Sequence, residues 1–192
     1  MVFSLYLNLL GTSSWVHRPL HMQAQLAEYY TLENDTASQD RDFPVRLLEQ
    51  IKKLRSESFS GVGLVFYFRL DELPSMPLGR QNAMKPDLPI FGVEAISRIL
   101  AKVSDHESPW HDGFHMIDME SQSLTHLSQF LAPPLKGSAQ ISEDRPSGAR
   151  QMTALLTSLV PGIAFVGVLS MGNDVVVYKN GKILARANEK YE

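Results

Sequence analysis

The clearest repeat of apolar positions begins after Pro44, where Leu47, Leu48, Ile51 and Leu54 recur at the spacing of one helix face. Pro44 stands where a helix start tolerates a residue without an amide hydrogen. The period then changes. Residues 61–68, GVGLVFYF, form an aromatic and β-branched run that is apolar on both faces, the pattern of a central, doubly covered strand. From Leu70 to Pro89 the prolines at Pro74, Pro77, Pro86 and Pro89 predict a loop without regular structure. At about twenty residues, such a loop is either functional or mobile. Val93, Ile96, Ile99, Leu100 and Val103 define a second amphipathic helix, ended by the polar stretch SDHESP.

Gly113 to Met119 and Leu124 to Leu131 read as two strands joined by the polar tip 120–123. A turn-rich linker, APPLKGSAQISEDRPSG, leads to a helix over roughly residues 149–159, with Met152, Leu155, Leu156 and Leu159 on one stripe. The chain ends in a meander: IAFVGVLS, then DVVVYK, an Asn180-Gly181 hairpin turn and KILAR. Helices and strands interleave while several strands are hairpin-linked. The expected fold is therefore α/β, α+β-like in its hairpins, with a mixed central β-sheet flanked by helices.

Residues 1–43 carry weaker signals. Phe3, Leu5, Leu7 and Leu9 alternate as in a strand. No basic segment precedes them, and Ser4 and Asn8 interrupt them, against a secretory leader. The run is too short to cross a bilayer as a helix. His21 to Tyr30 reads as a short helix, and TLENDTASQDRD as a polar loop. No internal repeat stands out. The expected division is an N-terminal extension of uncertain structure over 1–43 and a domain over 44–192.

A length of 192 residues suits one domain with its own core, and 44% hydrophobic with 20% charged residues is ordinary globular composition. The net charge of −3 supplies no diffuse positive field, so neither DNA, RNA nor a membrane surface is an expected partner. A chain without cysteine has no disulfide and no thiolate zinc site, and is compatible with a cytoplasmic location.

Two stretches carry candidate chemistry. In SPWHDGFHMI, residues 108–117, the histidines and Asp112 join His106 in a cluster whose imidazole and carboxylate groups suit zinc or manganese. His111 and Asp112 are adjacent, however, and a strand opening at Gly113 sends neighbours to opposite faces. A closed three-ligand site from this stretch alone is not expected. His106 reads as a solvated loop residue, and His115 as a sheet residue with both ring nitrogens satisfied. In SGARQMTALL, residues 147–156, a glycine and an arginine open a helix. Unpaired N–H groups and the positive dipole end make such a start a phosphate seat. Gly148 would let a ligand approach, and Arg150 would grip a phosphate with its fork. The plainer reading is an ordinary helix start. Neither stretch matches a Walker loop, a Gly-x-Ser-x-Gly elbow or a His-Glu-x-x-His helix.

Taken in chain order, these parts resemble the diadenylate cyclase domain, the nucleotidyltransferase module that condenses ATP into cyclic di-AMP. That family runs through a Ser-Pro-x-His-Asp-Gly-Ala corner, a Phe-Leu-Pro strand end, Gly-Thr-Arg-His-Arg at a helix start and an Asn-Gly-Lys turn. This sequence offers Ser108-Pro109-Trp110-His111-Asp112-Gly113-Phe114, then Phe130-Leu131-Ala132-Pro133, Gly148-Ala149-Arg150-Gln151-Met152-Thr153 and Asn180-Gly181-Lys182. The resemblance covers roughly residues 44–186. It implies a nucleotide site lined by His111, Asp112, Gly113, Phe114, Leu131, Gly148, Ala149, Arg150, Gln151 and Thr153. Asp112 would position a divalent cation and the attacking 3′-hydroxyl, with His111 as a supporting hydrogen-bonder. Active members pair two such pockets across subunits, so the resemblance also implies a homo-oligomer.

The departures bear on activity. Phe114 replaces the alanine after Asp-Gly, and Ala149, Gln151 and Met152 replace the threonine and the His-Arg pair. Losing two donors to a triphosphate costs about 3–6 kcal/mol. The resemblance then implies a nucleotide sensor, weakened or inactive as an enzyme, that binds ATP, cyclic di-AMP or another nucleotide. One alternative is an active cyclase using manganese or magnesium held by Asp112; without catalysis no cofactor is expected. The other is a protein-interaction module whose pocket Phe114 fills.

Overall fold

In the computed structural model the described residues are 42–78, 84–135, 146 and 148–187. The strand, helix and loop expected before residue 42 lie outside them. Helix α1 (42–54) buries Phe43, Leu47, Leu48 and Ile51, whereas Leu54 is 42% exposed. The apolar stripe of α1 thus stops one turn short of its sequence period.

Strand β1 (Val62–Tyr67) is buried along its whole length, as its two-sided apolar pattern requires. It pairs in parallel with β4 (Phe114–Asp118) and antiparallel with β6 (Ile163–Leu169). Three short elements follow β1 in the chain: β2 (Ser75–Pro77), β3 (Ile90–Phe91) and helix α2 (Val93–Val103). The rest are β5 (Ser123–Leu131), helix α3 (Ala149–Thr157), β7 (Val175–Lys179) and β8 (Lys182–Ala187). The strands form one mixed sheet in the order β2-β5-β4-β1-β6-β7-β8, with β3 also on β5.

The proline-rich loop is not wholly irregular, contrary to the sequence expectation. Ser75, Met76 and Pro77 pair with Leu131, Phe130 and Gln129. Pro77 ends a three-residue edge strand, the place where a missing N–H is tolerated in a sheet.

The two faces of the sheet bury separate cores. Leu47, Leu48 and Ile51 of α1 and Ile96 and Leu100 of α2 pack with Leu64, Phe66, Ile117 and Leu124. Ala154 and Leu155 of α3 pack with Val65, Phe114, Met116, Leu131 and Val166 on the other side. The closing hairpin turns at Asn180 (φ 49) and Gly181 (φ 71), the left-handed pair that a tight two-residue turn demands. Backbone N–H groups of Asn180 and Gly181 donate to the carbonyl and hydroxyl oxygens of Ser158 at 3.1 and 3.0 Å. The C-terminal end of α3 is thereby fixed. Among the described residues no helix is long and apolar enough to cross a membrane.

Candidate functional site

The corner before β4 is anchored from below. Trp110 is 8% exposed in the core beneath α1 and α2, and its indole N–H donates to Met84 O at 3.2 Å. His111 sits half-buried above it. Its Nδ1 lies 2.6 Å from Ser108 O, and a carbonyl only accepts, so Nδ1 carries the proton. Its Nε2 lies 3.5 Å from Asp112 Oδ1, an ion pair when the ring is protonated. Ser108 O orients the His111 imidazole through its Nδ1–H. Among the described residues no group of three or more ligating side chains surrounds an ion site. His106 is exposed, its ring 5.5 Å from that of His111.

Asp112 is exposed, and its backbone is held by β5. Phe114 opposes Gln129 and Met116 opposes His126, so Leu127 and Ser128 together face His115 alone. That is a β-bulge, and Ser128 takes the left-handed conformation it needs, φ 52. Ser128 Oγ donates to Asp112 O at 2.7 Å, and Ser128 N–H donates to His115 Nδ1 at 3.1 Å. Gly113 completes the lock. Its φ is +78, and a Cβ there would lie 2.5 Å from Gln129 O, a contact no side chain survives.

His115 differs from expectation. It is 1% exposed, and because Nδ1 accepts, its proton is on Nε2, which has no partner among the described residues. Burial, assisted by the nearby charge of Arg150, pushes its pKa down to about 3. The imidazole is neutral at physiological pH.

The second stretch opens α3. Gly148 is the N-cap in extended conformation, no side chain caps the helix, and a Cβ on Gly148 would meet nothing within 4 Å. Arg150 turns back over the sheet end and donates from Nη1 to Ser60 O at 3.1 Å. Room for it comes from Gly61, where a Cβ would lie 2.8 Å from that Nη1. Burial lowers the pKa of Arg150, while the carboxylate of Asp112 raises it. The two motifs, remote in sequence, thus come within electrostatic reach of each other. Among the described residues no carboxylate lies within ion-pair distance of Arg150.

The remaining candidates divide between rim and core. Ala149 and Gly148 are exposed at the helix start, and Gln151 and Thr153 are half-buried along it. Leu131 and Phe114 are 6% and 5% exposed in the core under α3. The Phe114 ring lies against β1 at Gly63, where a Cβ would fall 2.6 Å from both Cδ1 and Cε1. Ser60, Gly61, Gly63 and Ser128 escaped the sequence reading. The two glycines in the strand run were a usable signal, since glycine inside a strand marks close approach by another group.

No family model matches the chain, and no curated protein matches it. A solved structure similar to it is the crystal structure of a double mutant of DacA from Staphylococcus aureus, at 20% identity. That likeness covers 80% of this chain and 88% of the other, with a TM-score of 0.43.

Proposed function

We propose that this domain binds a nucleotide through its phosphates, on a scaffold of the diadenylate-cyclase type, and that its cyclase chemistry is weakened or lost. The observation that carries this reading is Arg150. A half-buried guanidinium with no ion-pair partner among the described residues is costly unless an anion meets it. It stands beside an exposed helix start whose first N–H groups can donate to the same anion. Asp112 and His111 would hold a magnesium or manganese ion, which would neutralise phosphate charge and orient the ligand. The chain's own part is to seat the phosphate on Gly148 and Arg150 and to hold Asp112 rigid through Ser128. Ala149, Gln151 and Met152 bring no charged donor to a triphosphate, which argues for a sensor of ATP, cyclic di-AMP or a related nucleotide rather than a cyclase.

Calorimetric titration with AMP, ADP, ATP and cyclic di-AMP, with and without manganese, tests this. At least one should bind the wild type, and Arg150→Ala should weaken it about tenfold or more. If none binds, the reading is wrong. Incubation with ATP and manganese should give little or no cyclic dinucleotide by mass. Abundant product, abolished in Asp112→Asn, would establish an active cyclase instead.

One observation favours a second reading, an interaction module without a nucleotide. Phe114 fills the hollow above Gly63 with its own ring. Absence of binding across the whole nucleotide panel is the result that reading expects.

A further inference from the structure

We propose that Arg55 is a second phosphate-binding residue, and that with Arg150 it takes a ligand carrying two linked phosphoryl groups. This rests on the nucleotide reading above and extends it to a residue outside both motifs.

Arg55 directly follows α1, and its Nη1 donates to Met171 O at 3.4 Å. Its guanidinium stands 5.9 Å from the Phe59 ring centroid, which steadies the side chain. Arg150 Nη1 donates to Ser60 O. Ser60 and Met171 each lie two residues beyond the Val62–Leu169 rung that joins β1 to β6. The two anchoring carbonyls therefore lie just past the same end of neighbouring strands. The position of a Cβ on Gly61 ties them together: it would be 2.8 Å from Arg150 Nη1 and 3.7 Å from Met171 N.

Each guanidinium has several N–H donors, and a backbone carbonyl engages only one edge of it. Among the described residues neither arginine has a carboxylate within 4.0 Å. Asp174, in the same loop as Met171, is turned to Ser170, its Oδ2 accepting the hydroxyl at 3.3 Å. The two guanidinium groups are anchored on backbone carbonyls at the same edge of the sheet. Arginine forks fit the oxygen edges of phosphate. A single phosphate satisfies one fork well; a diphosphate offers an edge to each. Met171 is 63% exposed and the α3 start is open, so such a ligand has access.

Titration of the full chain with inorganic phosphate and inorganic pyrophosphate tests the pair, using wild type, Arg55→Ala, Arg55→Lys and Arg150→Ala. Thermal melts of each variant establish that it is folded, and Arg55→Lys keeps the test alive if the alanine variant is not. Pyrophosphate should bind the wild type at least about tenfold more tightly than phosphate. Arg55→Ala should weaken pyrophosphate about ten- to a hundredfold and phosphate far less. Arg55→Lys, which keeps the charge but not the fork, should fall between. Unchanged pyrophosphate affinity in folded Arg55→Ala, with loss in Arg150→Ala, overturns this inference and leaves the nucleotide reading standing. Equal affinity of the wild type for the two anions also overturns it. Failure of the wild type to bind either anion or any nucleotide overturns both.

Discussion

Replacing His115 by Gln should make the protein less sensitive to mild acid. The native imidazole is 1% exposed and neutral, its pKa held at about 3 against an ordinary value of 6.5. The unfolded chain takes up a proton near pH 6.5 that the folded chain refuses until pH falls near 3. Between those values the unfolded state binds more protons, so stability falls as pH falls. Linkage with these two pKa values gives a loss of about 2 kcal/mol between pH 7.5 and 5.0 from this one side chain. The carboxylates are the same in both proteins and cancel over that window. Asp105, held at about 2 chiefly by hydrogen bonds from Ser56 and Ser58, titrates well below it. His126 also has a lowered pKa from burial, with the same sign, but it remains in both proteins and cancels in the comparison. Gln retains an amide oxygen that can accept the Ser128 N–H. Urea unfolding of wild type and His115→Gln at pH 7.5 and 5.0 measures the difference. The variant should lose about 2 kcal/mol less than the wild type over that interval. Parallel losses would mean that His115 is not held neutral in the folded protein, and that its burial does not resist the proton.

Gly113→Ala should destabilise by about 2–4 kcal/mol in urea titration, because it adds a Cβ against Gln129 O at a positive φ. Phe114→Ala should cost about 3–5 kcal/mol by the same measurement, since it empties the space above Gly63. Asp105 should support stability above about pH 4 and lose that contribution as pH falls toward 2; Asp105→Asn should flatten the acid limb of melting temperature between pH 4 and 2.

Much of the sheet was legible because its signals are local. The unbroken apolar run of β1 announced a strand covered on both faces, and Asn180-Gly181 announced the last hairpin. Strand β2 was not legible. Three residues have no period to read, and the pairing of Met76 with Phe130 is a contact between segments far apart in the chain. The same holds for the site. Asp112 and Arg150 could be singled out by their neighbours, but Ser128 earns its place only through the bulge opposite His115. Leu54 misled for the opposite reason: its spacing is right for the face of α1, yet it lies at the helix end, where the side chain is 42% exposed.

Chain direction explains why the polar groups gather where they do. Helix α3 leads through a short turn into β6, which begins beside the far end of β1, with Ile163 opposite Tyr67. A helix entering an antiparallel strand from that side must run back along the sheet, so its N-terminus points toward the start of β1. Nine helical residues rise about 14 Å, while seven strand residues extend about 23 Å. The helix therefore falls short of the strand's far end. Arg150 spans the difference with its long side chain and reaches Ser60, which is why a guanidinium rather than a helix amide occupies that end of the sheet. Because β4 runs parallel to β1, its first residues, with Asp112 just before them, arrive at the same end. Cation and carboxylate thus reach the same end of the sheet through topology, and the absence of a Cβ at Gly61 leaves the space that the guanidinium requires.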